Sequence, residues 1–312
     1  MSTDEIYDCV IVGGGPAAHN AALHLKGLNV IMLIGGYGME IGPGGQLTTT
    51  TNVDNYPGFP KGIQGPELMD KMLKQTKNAG ITVKRQTATK VTKEENVFIV
   101  STKDEIFKTK TIIAATGASA KKLTVPGSEK YWTRGISACA VCDGFFFKDK
   151  VAAVIGGGDV ALEEILYLKN ICKKVILIHR RNVFRARADK VSEAKNSDNI
   201  EFMIPYHLVE CKGDDVLQSI LLKNNETGEN KEIKLDGLFF AIGHKPNTEF
   251  LKDLKGVEFR ENGYLKTDDE VLTDVEGLFA CGDLQDFMYR QPVTAGATGV
   301  LAATEVKKYL NK

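Results

Sequence analysis

Cysteine is scarce in this sequence, six in 312 residues, too sparse for the disulfide scaffold of a small secreted domain. There is no excess of charge: 40 basic residues balance 40 acidic ones. Nothing in that balance points to nucleic acid or to an anionic membrane as a partner. No apolar run approaches the ~18 residues that would span a bilayer. Low-complexity tracts and long linkers are missing too. The opening "MSTDEIYDCVIVGGG" is acidic and enters an apolar strand at once, so a signal or transit peptide is not expected, and the sparse cysteines make a reducing, cytoplasmic setting the expectation. The length fits two domains at the usual ~100–200 residues each.

What is present is a pattern that occurs twice. "YDCVIVGGGPAAHNAALHL" runs from an apolar strand through glycines into a helix, and "DKVAAVIGGGDVALEEILYL" repeats that order. A second apolar strand follows each, "NVIMLI" and "KKVILIH". Repeated strand–turn–helix–strand units argue for an α/β protein with parallel sheets and two dinucleotide-binding domains. Residues 65–80 read as an amphipathic helix, with Pro66 near its start and Gly80 past its end. "ITVKRQTATKVTKEENVFIVST" alternates as antiparallel strands should. "TIIAATGAS" and "GLFFAIGHKPN" flank the second unit as matched strands ending in glycine turns. The expected organisation is therefore a domain of 1–117 plus 246–312, with a second domain, 118–245, inserted into it. Both would be three-layer, Rossmann-like folds. The crossings near 116–119 and 243–247 carry glycine or small residues, as hinges often do.

Gly13, Gly15 and Ala18 fill the G-x-G-x-x-A positions of the first unit. Gly13 permits the tight turn, Gly15 lets a pyrophosphate approach the backbone, and Ala18 allows close helix–strand packing. The helix N-terminus then offers open N–H groups to phosphate. After "NVIMLI" stands Gly35, where a ribose-binding acid is usual, so the adenosine ribose must be held otherwise. The second unit repeats the glycines as Gly156 and Gly158, with Ala161. At the end of its next strand, "HRRNVFRARAD" offers Arg180, Arg181 and Arg185 to a 2′-phosphate, which favours NADPH over NADH. Arg187 is as well explained by a solvated basic face.

"GISACAVCDGFFF" holds Cys139 and Cys142 two residues apart, with Asp143 directly behind. Three readings compete: half of a metal site, an inert buried pair, or a disulfide that opens and closes as chemistry. A structural zinc site usually needs four ligands; Cys9, Cys172, Cys211 and Cys281 are scattered singly, and the five histidines do not cluster with them. No metal is expected. The redox reading also gives Asp143 a task, supplying and removing the proton that thiol exchange requires. A turn that opens a helix would in addition lower a thiol pKa. Cys9 and Cys281 lie in apolar strands and should be buried and inert.

Taken together, "GGGPAA", "GGQLTTTTNVDNYPGF", "ATGAS", "YWTRGISACAVCDG", "VIGGGD", "HRR", "AIGHKPNT" and "ACGDLQDFMYRQ" resemble the low-molecular-weight thioredoxin reductases over nearly the whole chain. That resemblance implies FAD in the first domain, NADPH in the second, an oxidised Cys139–Cys142 disulfide, a homodimer, and thioredoxin as substrate. Carried over by position, Gly13, Gly14, Gly15, Pro16 and Ala17 would lie on the FAD pyrophosphate. Ile41, Gly42, Gln46 and Asn55 would hold the cofactor's middle, and Ala88 would meet its adenine side. Asp283, Arg290, Gln291 and Pro292 would bind the ribityl and flavin end. Gly156, Gly158, Asp159 and the three arginines would hold NADPH. Cys142 would take electrons from the flavin, and Cys139, the more exposed sulfur, would attack thioredoxin. Departures are Val160 for a usual Ser, Pro292 for Ala, "TAGA" for "TAAG" at 294–297, and Val300 for Cys. They touch fine details of cofactor affinity and leave the dithiol intact. The rival expectations are a redox-switched binding module without turnover, or a reductase of another thioredoxin-like or peroxiredoxin partner.

Overall fold

The structure is a computed structural model and describes residues 5–35, 43–50 and 52–311. It forms two compact units, Met1–Ser119 with Lys245–Lys312, and Ala120–His244. Six α-helices occur among the described residues: α1 Pro16–His24, α2 Gly65–Asn78, α3 Ala140–Asp143, α4 Asp159–Leu168, α5 Ala188–Lys195 and α6 Pro292–Leu310.

In the first unit the sheet order is Thr82–Lys84, Val30–Leu33, Ile6–Val12, Ile106–Ala114, Val97–Ser101 and Lys90–Glu94, with Leu278–Ala280 also on Ile106–Ala114. The first four strands and Leu278–Ala280 run parallel. Lys90–Glu94 and Val97–Ser101 form an antiparallel hairpin. The run from 81 to 102, expected to be antiparallel throughout, is therefore divided. Thr82–Lys84 is reached from Val30–Leu33 through α2, and a strand returning over a helical crossover pairs parallel. Residues alternate between the two faces of the central strand: Cys9 and Ile11 join α1 and α6, while Val10 and Val12 join the opposite core. Gly299 lets α6 cross α1 closely, since a Cβ there would collide with the Ala17 carbonyl oxygen. Cys9 and Cys281 are fully buried beside these helices, and burial pushes the Cys9 thiol up to about 12 and Cys281 upward as well. Both are inert, as their apolar strands led one to expect.

The second unit has an all-parallel sheet in the order Ile136–Ser137, Gly237–Phe240, Val151–Ile155, Lys174–Ile178 and Ile200–Met203. Its central strand again divides by alternation. Ala152 and Val154 pack with Ala161, Leu162, Ile165 and Leu168 of α4. Ala153 and Ile155 face Leu208, Ile220 and Leu222 of an antiparallel sheet, Tyr206–Gly213, Leu217–Asn224 and Asn230–Lys234. Helix, parallel sheet and antiparallel sheet make the three layers. Each fully buried Ile or Leu there stabilises the fold by about 1.5–3 kcal/mol.

At the crossings, Gly117 (φ +67°) and Gly243 (φ +95°) adopt backbone that a side chain would strain. Asn247 fixes the first-unit side: its N–H donates to the Gly117 carbonyl at 2.9 Å and its Nδ2 to the Thr116 carbonyl at 2.9 Å. No helix among the described residues is long and apolar enough to cross a membrane.

Candidate active site

Cys139 and Cys142 are joined in a disulfide, with Cα atoms 5.3 Å apart. Cys139 is the N-cap of the one-turn helix α3, and its Sγ accepts the Cys142 N–H at 3.2 Å. That hydrogen bond is in place to stabilise negative charge on the Cys139 sulfur when the disulfide opens. The order of exposure is the reverse of the sequence expectation: Cys142 is exposed and Cys139 half-buried. The reason is local. Cys139 stands where the chain leaves Ile136–Ser137, its N–H donating to Ser137 Oγ at 3.1 Å, whereas Cys142 lies a turn further along α3.

Asp143 closes α3 and is half-buried. Its Oδ2 accepts the Ser137 hydroxyl at 2.5 Å, while Oδ1 is buried without a hydrogen-bond partner among the described residues. Burial holds the carboxyl above the usual carboxylate range, and the Ser137 hydrogen bond works against that shift. Asp143 precedes the 3-10 turn Gly144–Phe147 but makes no side-chain capping bond to it. The position of the carboxyl is thus explained by Ser137, which the sequence reading missed. No cluster of three or more His, Cys, Asp or Glu suited to a metal ion occurs among the described residues.

The second unit's glycine turn lies between Val151–Ile155 and α4. A Cβ at Gly156 would stand 2.5 Å from the Ala241 carbonyl oxygen and 2.6 Å from the Ala161 Cβ. Gly157 packs against the His179 ring, which stacks on Phe184 at 5.1 Å and bonds the Val183 carbonyl through Nε2 at 3.1 Å. Gly158 caps α4 with open space around it and no side-chain bond to the helix N–H groups. Asp159 accepts the Arg187 N–H at 2.9 Å. Arg187 pairs with Asp189 at 2.7 Å and belongs to the surface. Arg180, Arg181 and Arg185 are exposed and form no ion pair with a carboxylate of the described residues. Asn225 fixes the segment by donating from Nδ2 to the Arg180 carbonyl at 2.7 Å. This is a glycine cradle with three uncommitted guanidiniums, and it fits a phosphorylated dinucleotide.

In the first unit, Gly13 has φ +140°, and a Cβ there would collide with the Ala115 carbonyl oxygen. Gly15 caps α1 without a side-chain bond to its N–H groups, and Pro16 and Ala17 open the helix. Gly44, unforeseen in the sequence, approaches this turn: a Cβ on Gly14 would lie 3.2 Å from the Gly44 nitrogen. Gly282 packs on Ala17, which brings Asp283 beside the start of α1. The Asp283 carboxyl still touches solvent but is enclosed closely enough to be pushed up to about 7, with Asp286 adding to that rise and Arg290 opposing it. Asn55 Nδ2 donates to Gln291 Oε1 at 3.1 Å, and Gln291 caps α6 with Pro292 at its first position, where a missing N–H costs nothing. Gln46 Nε2 donates to the Ala118 carbonyl at 3.2 Å. Ala88 is buried in the core on the sheet face opposite α1, so its side chain does not join the glycine turn. Ile41 and Gly42 lie outside the described residues. His19 is a further residue that the sequence did not reveal. It is buried in α1, bonded to the Gly14 backbone and, through Nδ1, to Thr76 Oγ1 at 2.8 Å; burial pushes it down to about 4 and keeps it neutral. The open helix start, the strained glycine and the enclosed carboxylate fit a dinucleotide cofactor here as well.

Two parallel α/β units with nucleotide-type glycine turns, one of them carrying a CxxC disulfide, define a nucleotide-linked disulfide oxidoreductase. A family model described as pyridine nucleotide-disulphide oxidoreductase matches residues 7–299. The thioredoxin reductase of Dictyostelium discoideum is 41% identical over 100% of this chain and 99% of its own. Thioredoxin reductase 1, mitochondrial, of Arabidopsis thaliana is 45% identical over 97% of this chain and 83% of its own. The crystal structure of thioredoxin reductase from Streptococcus pyogenes MGAS5005 superposes with a TM-score of 0.90 at 36% identity, covering 99% of each chain. The chain belongs to the pyridine nucleotide-disulphide oxidoreductases and, within them, to the thioredoxin reductase family.

Proposed function

We propose that this chain is an NADPH-dependent thioredoxin-disulfide reductase working through Cys139, Cys142 and Asp143. The observation that carries the reading is the Cys139–Cys142 disulfide beside a half-buried carboxyl, in the same unit as a glycine turn with three uncommitted arginines. Gly156, Gly158, Asp159, Arg180, Arg181 and Arg185 would hold NADPH. Gly13, Gly14, Gly15, Pro16, Ala17, Gln46, Asn55, Asp283, Arg290, Gln291 and Pro292, with Ile41, Gly42 and the Ala88 backbone, would hold FAD. Bound there, NADPH would supply hydride and FAD would supply the two-electron relay between a hydride donor and a disulfide.

The chain's own residues carry out the exchange with the partner. The Cys139 thiolate attacks one sulfur of the partner's disulfide; that S–S bond breaks and its electron pair leaves on the departing sulfur. The Cys142 thiolate then attacks Cys139 Sγ, which restores the internal disulfide and releases the partner's second sulfur. Two electrons and two protons pass to the partner in all. Asp143, with proton affinity raised by burial, hands a proton to the departing thiolate and accepts one from the Cys142 thiol. Asp143→Asn should therefore slow exchange with thioredoxin more than it slows flavin reduction. Stopped-flow traces check this, and an unchanged exchange rate would count against the role.

Subunit state and cellular setting belong to the same reading. Exposed Met288, Tyr289, Val293 and Leu301 on the first unit support a homodimer, which sedimentation at twice the chain mass would verify. Four buried free thiols, Cys9, Cys172, Cys211 and Cys281, suit the reducing cytoplasm, where cell fractionation should find the protein. The function itself is tested by purifying the protein and looking for a visible flavin spectrum that NADPH bleaches and thioredoxin restores. A colourless protein that ignores NADPH would defeat it.

A further inference from the structure

We infer that Ser137 is the positioning residue for proton transfer at the dithiol: its one hydroxyl ties Asp143 to the Cys139 backbone and leaves the other carboxylate oxygen without a partner among the described residues. The inference rests on Asp143 as the proton carrier. Helix α3 is a single turn, too short to hold its own geometry in isolation. Ser137 does not belong to that turn. It ends the strand Ile136–Ser137, in register with Leu238 and Phe239 of the parallel sheet, so its hydroxyl is set by the sheet.

The direction of the hydrogen bonds follows from the atoms. The Cys139 N–H can only donate, so Ser137 Oγ accepts there, at 3.1 Å. The single hydroxyl proton is then left for Asp143 Oδ2, at 2.5 Å. A donor to a carboxylate favours its charged form, against the burial that favours the neutral one. These are the two influences on Asp143. The titratable groups of α4, packed against α3, are Asp159, Glu163, Glu164 and Tyr167, and none of them shifts it. The 3-10 turn Gly144–Phe147 and the strand Gly237–Phe240 carry no titratable side chain. Ser137 thus sets both where the carboxyl stands and at which pH it exchanges its proton.

The test is single-turnover oxidation of the prereduced, flavin-loaded protein by thioredoxin disulfide between about pH 5 and 9, in wild type, Asp143→Asn, Ser137→Ala, Ser137→Gly and Ser137→Thr. Wild type should show a limb in the pH profile that Asp143→Asn lacks. Ser137→Ala and Ser137→Gly should keep that limb and move its midpoint upward by about one to two pH units, the loss of one charged hydrogen bond. Ser137→Thr, which retains the hydroxyl, should restore the wild-type midpoint. A limb unmoved in both the alanine and glycine variants, yet absent in Asp143→Asn, overturns the role of Ser137 alone. So does a threonine variant shifted as far as alanine. A wild-type profile identical to that of Asp143→Asn overturns the reading of Asp143 on which the inference stands.

Discussion

Replacing either Cys139 or Cys142 by serine is expected to abolish thioredoxin reduction, by roughly 10³-fold or more, while FAD stays bound and reducible by NADPH. Exchange needs both sulfurs: one to attack the partner and one to release it. Hydride transfer from NADPH needs neither. The two variants should nonetheless differ. With Cys142 replaced, Cys139 keeps the N–H of residue 142 at its sulfur and can still attack, but nothing resolves the product. That variant should therefore accumulate a stable mixed disulfide with thioredoxin, visible on a non-reducing gel, and the Cys139→Ser variant should not. Exposure does not decide these roles, because Cys142 is the more exposed residue of the pair in the disulfide form. Mixed disulfide from the Cys139 variant instead would exchange the two assignments, and substantial turnover by either variant would sink the dithiol mechanism.

The second large effect concerns the coenzyme. Changing Arg180 and Arg181 together to glutamine should weaken NADPH binding by roughly tenfold or more per arginine, since each charged hydrogen bond contributes ~1.5–3 kcal/mol. NADH binding should stay nearly unchanged, because it has no 2′-phosphate to lose partners. The expectation rests on guanidiniums that no carboxylate of the described residues neutralises, in contrast to Arg187, which Asp189 engages at 2.7 Å. Steady-state kinetics with both coenzymes decide between this and general damage, which would weaken both alike. A wild type that already prefers NADH would show that the cluster serves another purpose.

Much of this was legible because its signals are local. The two glycine turns declare themselves within a few residues of strand and helix, and the apolar runs along 6–12 and 151–155 mark the strands that lead into them. The CxxC and Asp143 are contiguous, so their chemistry could be read directly. What escaped notice depends on partners brought together only by folding. Asn55 meets Gln291, His19 meets Thr76, and Gly44 approaches Gly14, yet none of these pairs is close in sequence. Ser137 lies near Asp143 in the chain, but its role required knowing that a two-residue strand anchors it to the sheet. Thr82–Lys84 was misread for the opposite reason: alternation marks a strand but not its direction, which the α2 crossover sets. The reversed exposure of the two cysteines likewise turns on where α3 begins, a boundary that sequence places poorly.

The most direct measurement is stoichiometric. Under anaerobic conditions the purified protein is given a limited amount of NADPH and excess oxidised thioredoxin, and the new thioredoxin thiols are counted against NADPH consumed. Two thiols should appear for each NADPH, and the Cys139→Ser protein should produce none. NADPH consumption without thioredoxin thiols in the wild type, or an equal thiol yield from the Cys139→Ser protein, would contradict the account.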